Sequence, residues 1–275
     1  MFINCNARLI SFNVPLVMGI INTTPDSFYS ESRHSIETEI LRTAEKMLND
    51  GATFLDVGGQ STRPGSERVS ADEEAKRVLP AIEGIIRHFP EALISIDSFY
   101  AAVAKYAVNA GACLVNDVSA GTIDEALIPT VAALGVPYVL MHMQGNPQGM
   151  QKAPAYDNVV LEVFDTLNFK LKELHDAGIK DVIVDPGFGF GKTAAHNFTL
   201  LAELSYFGQL GKPIMIGLSR KGTIYKTLGT TPEQALNGTT VLNTMALLNG
   251  ASILRVHDVR EAIETVKLVQ EVKRV

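Results

Sequence analysis

Asp185 ends the apolar run Val182-Ile-Val184 and is followed at once by Pro186-Gly-Phe-Gly-Phe-Gly-Lys192. β-Branched residues stopping at Pro-Gly read as a buried strand entering a turn, so the acid stands where the strand stops. A carboxylate there is costly unless a ligand donor or a cation lies against it. The glycines are expected to let the backbone approach a flat or bulky ligand. Two phosphate-binding alternatives fail on spacing. A Walker loop needs four residues between its first glycine and Gly-Lys-Thr, whereas Gly187 to Gly191 leaves three. A dinucleotide fingerprint needs Gly-x-Gly-x-x-Gly, and the third glycine comes one position early. The stretch reads as a ligand wall.

The same placement recurs along the chain. Short apolar runs end at Asn22, Asp56, Asp97, Asn116, His142, Asp185, then Ser219 to Lys221, then Arg255 and His257. Any one of these could cap a helix or satisfy a core group, but a purely structural scaffold has no reason to end every run in a polar side chain. They sort by chemistry. Asp97, Asn116 and Asp185 supply acceptors and an amide, which suit a flat heterocycle rich in N–H donors and would repel a phosphate. Arg63, Arg255 and His257, with Asn22 and Thr62, supply donors and positive charge for a phosphate-like group. The loops Asn22 to Arg33 and Gly58 to Ser66 are rich in Gly, Ser, Thr and Pro and are candidate lids. The plainer reading of Ser61 to Gly65 is an ordinary turn.

What must position these residues is a repeated strand-helix unit. Residues 15–21 form an apolar strand followed by an amphipathic stretch at 36–49. The pattern returns at 53–57 with 70–88, 93–96 with 100–110, 113–115 with 124–134, and 138–141 with 158–177. It closes with 182–184 and 196–207, 214–218 and 232–249, and 252–254 and 258–273. Continuous apolar strands alternating with amphipathic helices predict a parallel sheet covered by helices. Eight such units predict a closed (β/α)8 TIM barrel, an α/β fold whose chemistry sits where its strands end. Residues 2–13 are expected to cap the barrel floor. No linker or low-complexity segment divides the chain, so 1–275 reads as a single domain.

Composition narrows the partners. The chain has 275 residues, 46% hydrophobic content and a net charge of -6, enough apolar material for a full core and no footprint for nucleic acid or an anionic membrane. An anionic ligand must be held by a few local cations. Cys5 and Cys113 lie far apart in sequence without metal-type spacing, which predicts a reducing compartment. Asn4, Asn6, Arg8 and Asn13 interrupt the N-terminus, so no signal peptide is expected, and the protein reads as soluble and cytoplasmic.

Seven strings together carry a resemblance: Met18-Gly-Ile-Ile-Asn-Thr-Thr-Pro-Asp-Ser-Phe28, Asp56-Val-Gly-Gly-Gln-Ser-Thr-Arg-Pro-Gly65, Asn116-Asp-Val-Ser119, Met141-His-Met-Gln-Gly145, Asp185-Pro-Gly-Phe-Gly-Phe-Gly-Lys192, Ser219-Arg-Lys221 and Arg255-Val-His257. In this order, over nearly the whole chain, they resemble dihydropteroate synthase. The resemblance implies condensation of 6-hydroxymethyl-7,8-dihydropterin diphosphate with 4-aminobenzoate, giving 7,8-dihydropteroate and diphosphate in folate biosynthesis. It implies that Asp97, Asn116, Asp185 and Lys221 hold the pterin, with Arg255 stacked on it and Met141 and Phe190 as apolar walls. Asn22, Thr62, Arg63, Arg255 and His257 match the diphosphate site, and Asn22 also matches the ligand of a magnesium ion (Mg2+). Phe28, Thr62 and Pro64 match the aminobenzoate site. The family is a sulfonamide target and is usually a homodimer.

Three positions depart from the family pattern. Tyr29-Ser-Glu-Ser-Arg33 replaces a Ser-Asp-Gly-Gly continuation, Gln60 replaces a Glu, and Gly222 replaces a Ser near the aminobenzoate carboxylate. Backbone N–H groups at the start of the helix after Lys221 are expected to serve that carboxylate instead. Two rivals share the pocket: pterin-binding methyltransferases, which do not need the Ser-Thr-Arg-Pro loop or the Arg-x-His pair, and a pterin-binding paralogue without turnover.

Overall fold

Along each strand of the barrel, alternate side chains face opposite ways, and two apolar clusters record the alternation. A computed structural model describes residues 1–24, 33–60, 68–145 and 154–274 (33–36 as backbone). A two-stranded antiparallel hairpin, β1 (Phe2–Cys5) and β2 (Arg8–Ser11), precedes eight parallel strands: β3 (Leu16–Asn22), β4 (Phe54–Gly58), β5 (Leu93–Asp97), β6 (Leu114–Asp117), β7 (Tyr138–Met141), β8 (Val182–Asp185), β9 (Met215–Ile216) and β10 (Ile253–Val256). Their order is β8-β7-β6-β5-β4-β3-β10-β9, and a parallel bridge between Val184 and Ile214 joins the two ends into a ring. The helices are α1 (Arg33–Asn49), α2 (Ala71–His88), α3 (Ala101–Asn109), α4 (Leu127–Leu134), α5 (Val159–Asp176), α6 (Ala194–Ala202), α7 (Gly222–Thr227), α8 (Leu236–Leu248) and α9 (Val259–Arg274).

Outward residues such as Leu55, Ile94, Ile96, Val115, Leu140, Val184 and Leu254 join the core between sheet and helices. Inward residues Met18, Phe54, Leu93, Leu114, Val139, Ile183, Met215 and Ile253 fill the lower barrel. Two residues further along β4, β5, β6, β8 and β10 the inward positions are Asp56, Ser95, Asn116, Asp185 and Arg255, so the interior turns from apolar to charged within one pleat. Register fixes which of these are neighbours. Gly58 pairs with Asp97, Asp97 with Asn116, and Met141 with Asp185. A slip of one residue would send the whole polar layer into the outer core.

The expected floor cap is the hairpin. Ile3 and Cys5 insert into the lower cluster, where Cys5 joins Cys113; both thiols are free and fully buried. Sequence separation hid their shared place. Two elements differ from expectation. The helix expected at 196–207 is α6 followed by a 3-10 segment, Leu204–Leu210, which ends at left-handed Gly211. The seventh unit carries an extra helix, α7, before α8. With only six residues, Gly222–Thr227, α7 is too short to show a hydrophobic period, which is why pattern reading passed over it. Among the described residues, no helix is long and apolar enough to cross a membrane.

Candidate active site

Asp56, Asp97, Asn116 and Arg255 form one hydrogen-bonded group at the open end of the barrel. Asp56 is fully buried, and its Oδ2 accepts from Asn116 Nδ2 at 3.0 Å and from Arg255 Nε at 2.6 Å. Arg255 Nη2 donates to Asp97 Oδ2 at 2.7 Å. Burial works against the guanidinium charge, but the two carboxylates overcome it and hold Arg255 above its ordinary value. Burial drives the Asp97 carboxyl up to about 7; Arg255 opposes that rise and Asp56 adds to it. Sequence grouping put Arg255 with the anion-binding residues. Its side chain bridges the carboxylates of Asp56 and Asp97.

The second wall is the turn after β8. Asp185 Oδ1 accepts from Gly187 N at 2.7 Å, and burial raises its pKa against the pull of Lys221. Lys221 Nζ donates to Phe188 O at 2.5 Å and lies 4.5 Å above the centre of the Phe190 ring. Desolvation lowers Lys221 to about 8, opposed by Asp185. Phe190 and Met141 pack with Phe99 and Val118 into one apolar cluster beside these charges. Phe99 and Val118, one or two residues past their strands, were open to the same end-of-strand argument as their neighbours and were missed.

The glycines of this turn serve the protein itself. Gly187 (φ 73°) lies so close to β7 that a Cβ would stand 1.8 Å from His142 O, and one on Gly191 would stand 2.4 Å from Gln144 O. At these two positions the glycines let two neighbouring strand ends touch. Lys192 then closes the turn. Its buried ammonium donates to Gly187 O and Phe190 O, both at 3.0 Å, and meets His142 Nδ1 at 2.9 Å. Desolvation, then Lys192, pushes His142 down to about 3, so its ring is neutral and Nδ1 accepts. The lysine that tempts a nucleotide-loop reading is a buried clip.

On the opposite side, Asn22 and His257 stand exposed at the ends of the adjacent strands β3 and β10. Thr23 holds the end of β3 to Gly58 O through its N–H at 2.9 Å and its hydroxyl at 3.1 Å. Ser219 Oγ lies 3.0 Å from His257 Nδ1 and accepts from His257 N at 3.2 Å. Arg220, with φ 54°, turns away from the barrel and grips Asp258 with Nε and Nη2, both at 2.8 Å, which aims Lys221 inward. Gly222 has room for a side chain, since its nearest neighbour would be Tyr225 Oη at 3.5 Å from a Cβ. The helix after Lys221, whose first backbone N–H groups are expected to serve the aminobenzoate carboxylate, is the six-residue α7. Phe28, Thr62, Arg63 and Pro64 lie outside the described residues. Among the described residues, no three His, Cys, Asp or Glu side chains gather as a metal cage. Asn22 offers one amide oxygen at the mouth, which suits magnesium, an ion that takes most of its ligands from water and substrate oxygens.

A barrel mouth with paired carboxylates, an amide and a lysine along a flat apolar wall, and exposed polar groups opposite, defines an enzyme that grips a planar, donor-rich heterocycle. The comparisons give the same class: the pterin binding enzyme family matches residues 18–257. Dihydropteroate synthase of Escherichia coli K12 is 42% identical over 258 residues, covering 93% of this chain and 91% of that one. The Yersinia pestis dihydropteroate synthase structure with a sulfonamide drug superposes with a TM-score of 0.94 at 37% identity, with full coverage of both chains. The Xanthomonas albilineans enzyme with 4-aminobenzoic acid superposes at 0.93 and 39% identity, covering 100% of this chain and 98% of that one. The chain belongs to the dihydropteroate synthase family.

Proposed function

We propose how this chain carries out dihydropteroate synthesis, the transfer of a pterin-methyl group from its diphosphate ester to the amine of 4-aminobenzoate. The pterin lies between the group built on Asp97, Asn116 and Arg255 and the wall made by Asp185, Lys221, Met141 and Phe190. The observation that carries this reading is the polar layer itself: acceptors from neighbouring strands face one space, with Lys221 against a flat aromatic wall. Asp97 and Asp185 accept from ring and amino N–H groups, and Lys221 donates to the ring's acceptors. The guanidinium plane of Arg255, fixed by Asp56 and Asp97, stacks on the pterin face.

Diphosphate points toward Asn22 and His257, where Thr62 and Arg63 complete its donors. Magnesium, held by Asn22, would take up charge on the leaving group. Departure of diphosphate leaves a positive methylene that the electron-rich dihydropterin stabilises, so no nucleophilic residue is needed. The chain's own work is to orient the pterin, pair the leaving charge, exclude water and place the amine beside the methylene, with Phe28, Thr62 and Pro64 at the aminobenzoate subsite.

Two buried thiols without a disulfide support a cytoplasmic setting. A stripe of exposed apolar residues on α8 supports a homodimer. The deciding assay is diphosphate release with both substrates and magnesium. Release that needs both substrates is expected; a protein that binds pterin but releases no diphosphate would overturn the synthase reading.

A further inference from the structure

Asn197 lies on α6, outside every motif and every strand end, yet it is 2% exposed. Its Oδ1 accepts from Gly189 N at 2.9 Å, and its Nδ2 donates to Thr223 Oγ1 at 2.9 Å. The orientation of the amide follows from chemistry, because a backbone N–H can only donate and so the oxygen must face Gly189. One side chain therefore joins the turn after β8 to the first turn of α7.

Those two segments carry the Lys221 side of the pocket. Gly189 lies between Phe188, whose carbonyl accepts from Lys221 Nζ, and Phe190, whose ring lies under the same ammonium. Thr223 lies two residues after Lys221, and its backbone carbonyl accepts from Thr227 Oγ1 at 2.7 Å within α7. Lys221 thus spans a gap whose width is set from behind by Asn197. Without that amide, the bonds from Asn197 to the half-buried Gly189 N–H and to the buried Thr223 hydroxyl are lost, which favours adjustment of either segment.

We infer that Asn197, with Thr223, is a positioning residue for pterin binding: it holds the Phe188–Phe190 turn against α7 so that Lys221 and the Phe190 ring meet the ligand at a fixed separation. The inference rests on the pterin pocket proposed above and assigns Asn197 no contact with substrate. It acts through Lys221.

The test compares wild type, Asn197→Ala, Thr223→Val, Thr223→Ser and the Asn197→Ala/Thr223→Val double variant. Pterin Kd is measured by calorimetry and pterin KM and kcat by diphosphate release, well below each protein's Tm. Loss of one or two buried hydrogen bonds should weaken pterin binding roughly two- to tenfold in Asn197→Ala and Thr223→Val, with kcat changed less than about twofold. Thr223→Ser keeps the hydroxyl and should stay near wild type. The double variant should be no worse than Asn197→Ala by more than about twofold, because the two residues share a bond. A residue that only stabilised the fold would lower Tm and leave Kd alone, so unchanged pterin Kd in folded Asn197→Ala and Thr223→Val would overturn the inference. If Asn197→Ala does not fold, Thr223→Val decides by itself. An Asp185→Asn arm separates the failures: weakened binding there with an intact Kd in Thr223→Val rejects the clamp alone, whereas a wild type that binds no pterin rejects the pocket and the clamp together.

Discussion

Asp185 has two tasks that its carboxylate can divide. Oδ1 accepts from Gly187 N and shapes the turn, while the charge of the group is directed at the pocket that Lys221 shares. Asp185→Asn can keep its oxygen on Gly187 and must then present an NH2 where the pterin also presents N–H groups. The fold should survive, with little change in Tm. Pterin affinity should fall on the order of ten- to a hundredfold, as expected for loss of a charge-assisted bond worth roughly 1.5 to 3 kcal/mol. The ring is held in both ground and transition states, so KM should rise more than kcat falls. Calorimetry on the two proteins checks this, and equal affinities would leave Asp185 as a turn residue only. The same residue marks how far single positions could be read. Its place at a strand end was legible because buried parallel strands stop abruptly at polar residues. Lys192, in the same turn, was visible only as a failed nucleotide motif, since nothing local says that an ammonium will find Gly187 O, Phe190 O and His142.

At the scale of elements, the turn after β8 and the first turn of α2 carry opposite lessons. The turn after β8 is set by close approach. Gly187→Ala would put a methyl group 1.8 Å from His142 O in a left-handed conformation, so β7 or β8 must move. Gly189 has a similar φ of 81°, but its added Cβ would come no closer than 3.4 Å, to Lys221 Cδ. Thermal melts should therefore show Gly189→Ala destabilised by about 1 kcal/mol, and Gly187→Ala by several times that or unfolded. Similar Tm values for the two would remove the packing argument. In α2 the determinant is a proton. Glu74 is fully buried, accepts from Gln60 Nε2 at 2.8 Å, and is pushed up to about 8, first by burial and then by Asp97. A carboxyl whose folded pKa lies above its unfolded value contributes stability that is complete below the unfolded pKa of 4.5 and is lost as pH rises through about 8. Relative to Glu74→Gln, which does not titrate, the wild type should lose on the order of 3 kcal/mol between pH 5 and pH 9. Urea melts at the two ends of that range read the difference, and a constant gap would mean that Glu74 is ionised throughout. Helices and strands were mostly legible because each buries one face or lies in a continuous apolar run. The extra α7, the 3-10 segment after α6 and the buried acid in α2 were not, because each depends on tertiary neighbours that local period does not encode.

The whole molecule keeps its chemistry at one end of the ring and exposes apolar side chains on its flank. Val241, Met245 and Leu248 fall at i, i+4 and i+7 of α8 and are between 42% and 51% exposed, so they form one stripe on the outer helix. Leu268 and Val272 on α9, which packs beside α8, are more exposed still. Isolated exposed apolar residues are ordinary, but a stripe along one helix face marks a surface that gains by being covered. A second copy of the chain is the natural cover, because a twofold contact lets the same stripe serve both partners. It would lie against the outer helices and leave the barrel mouth open to substrates. Sedimentation at about ten micromolar should therefore give a dimer. Met245→Glu combined with Leu248→Glu places two like charges in each half of that contact and should yield monomers with an unchanged circular dichroism spectrum. A wild type that sediments as a monomer, or a double variant that stays dimeric, would exclude α8 as the dimer surface.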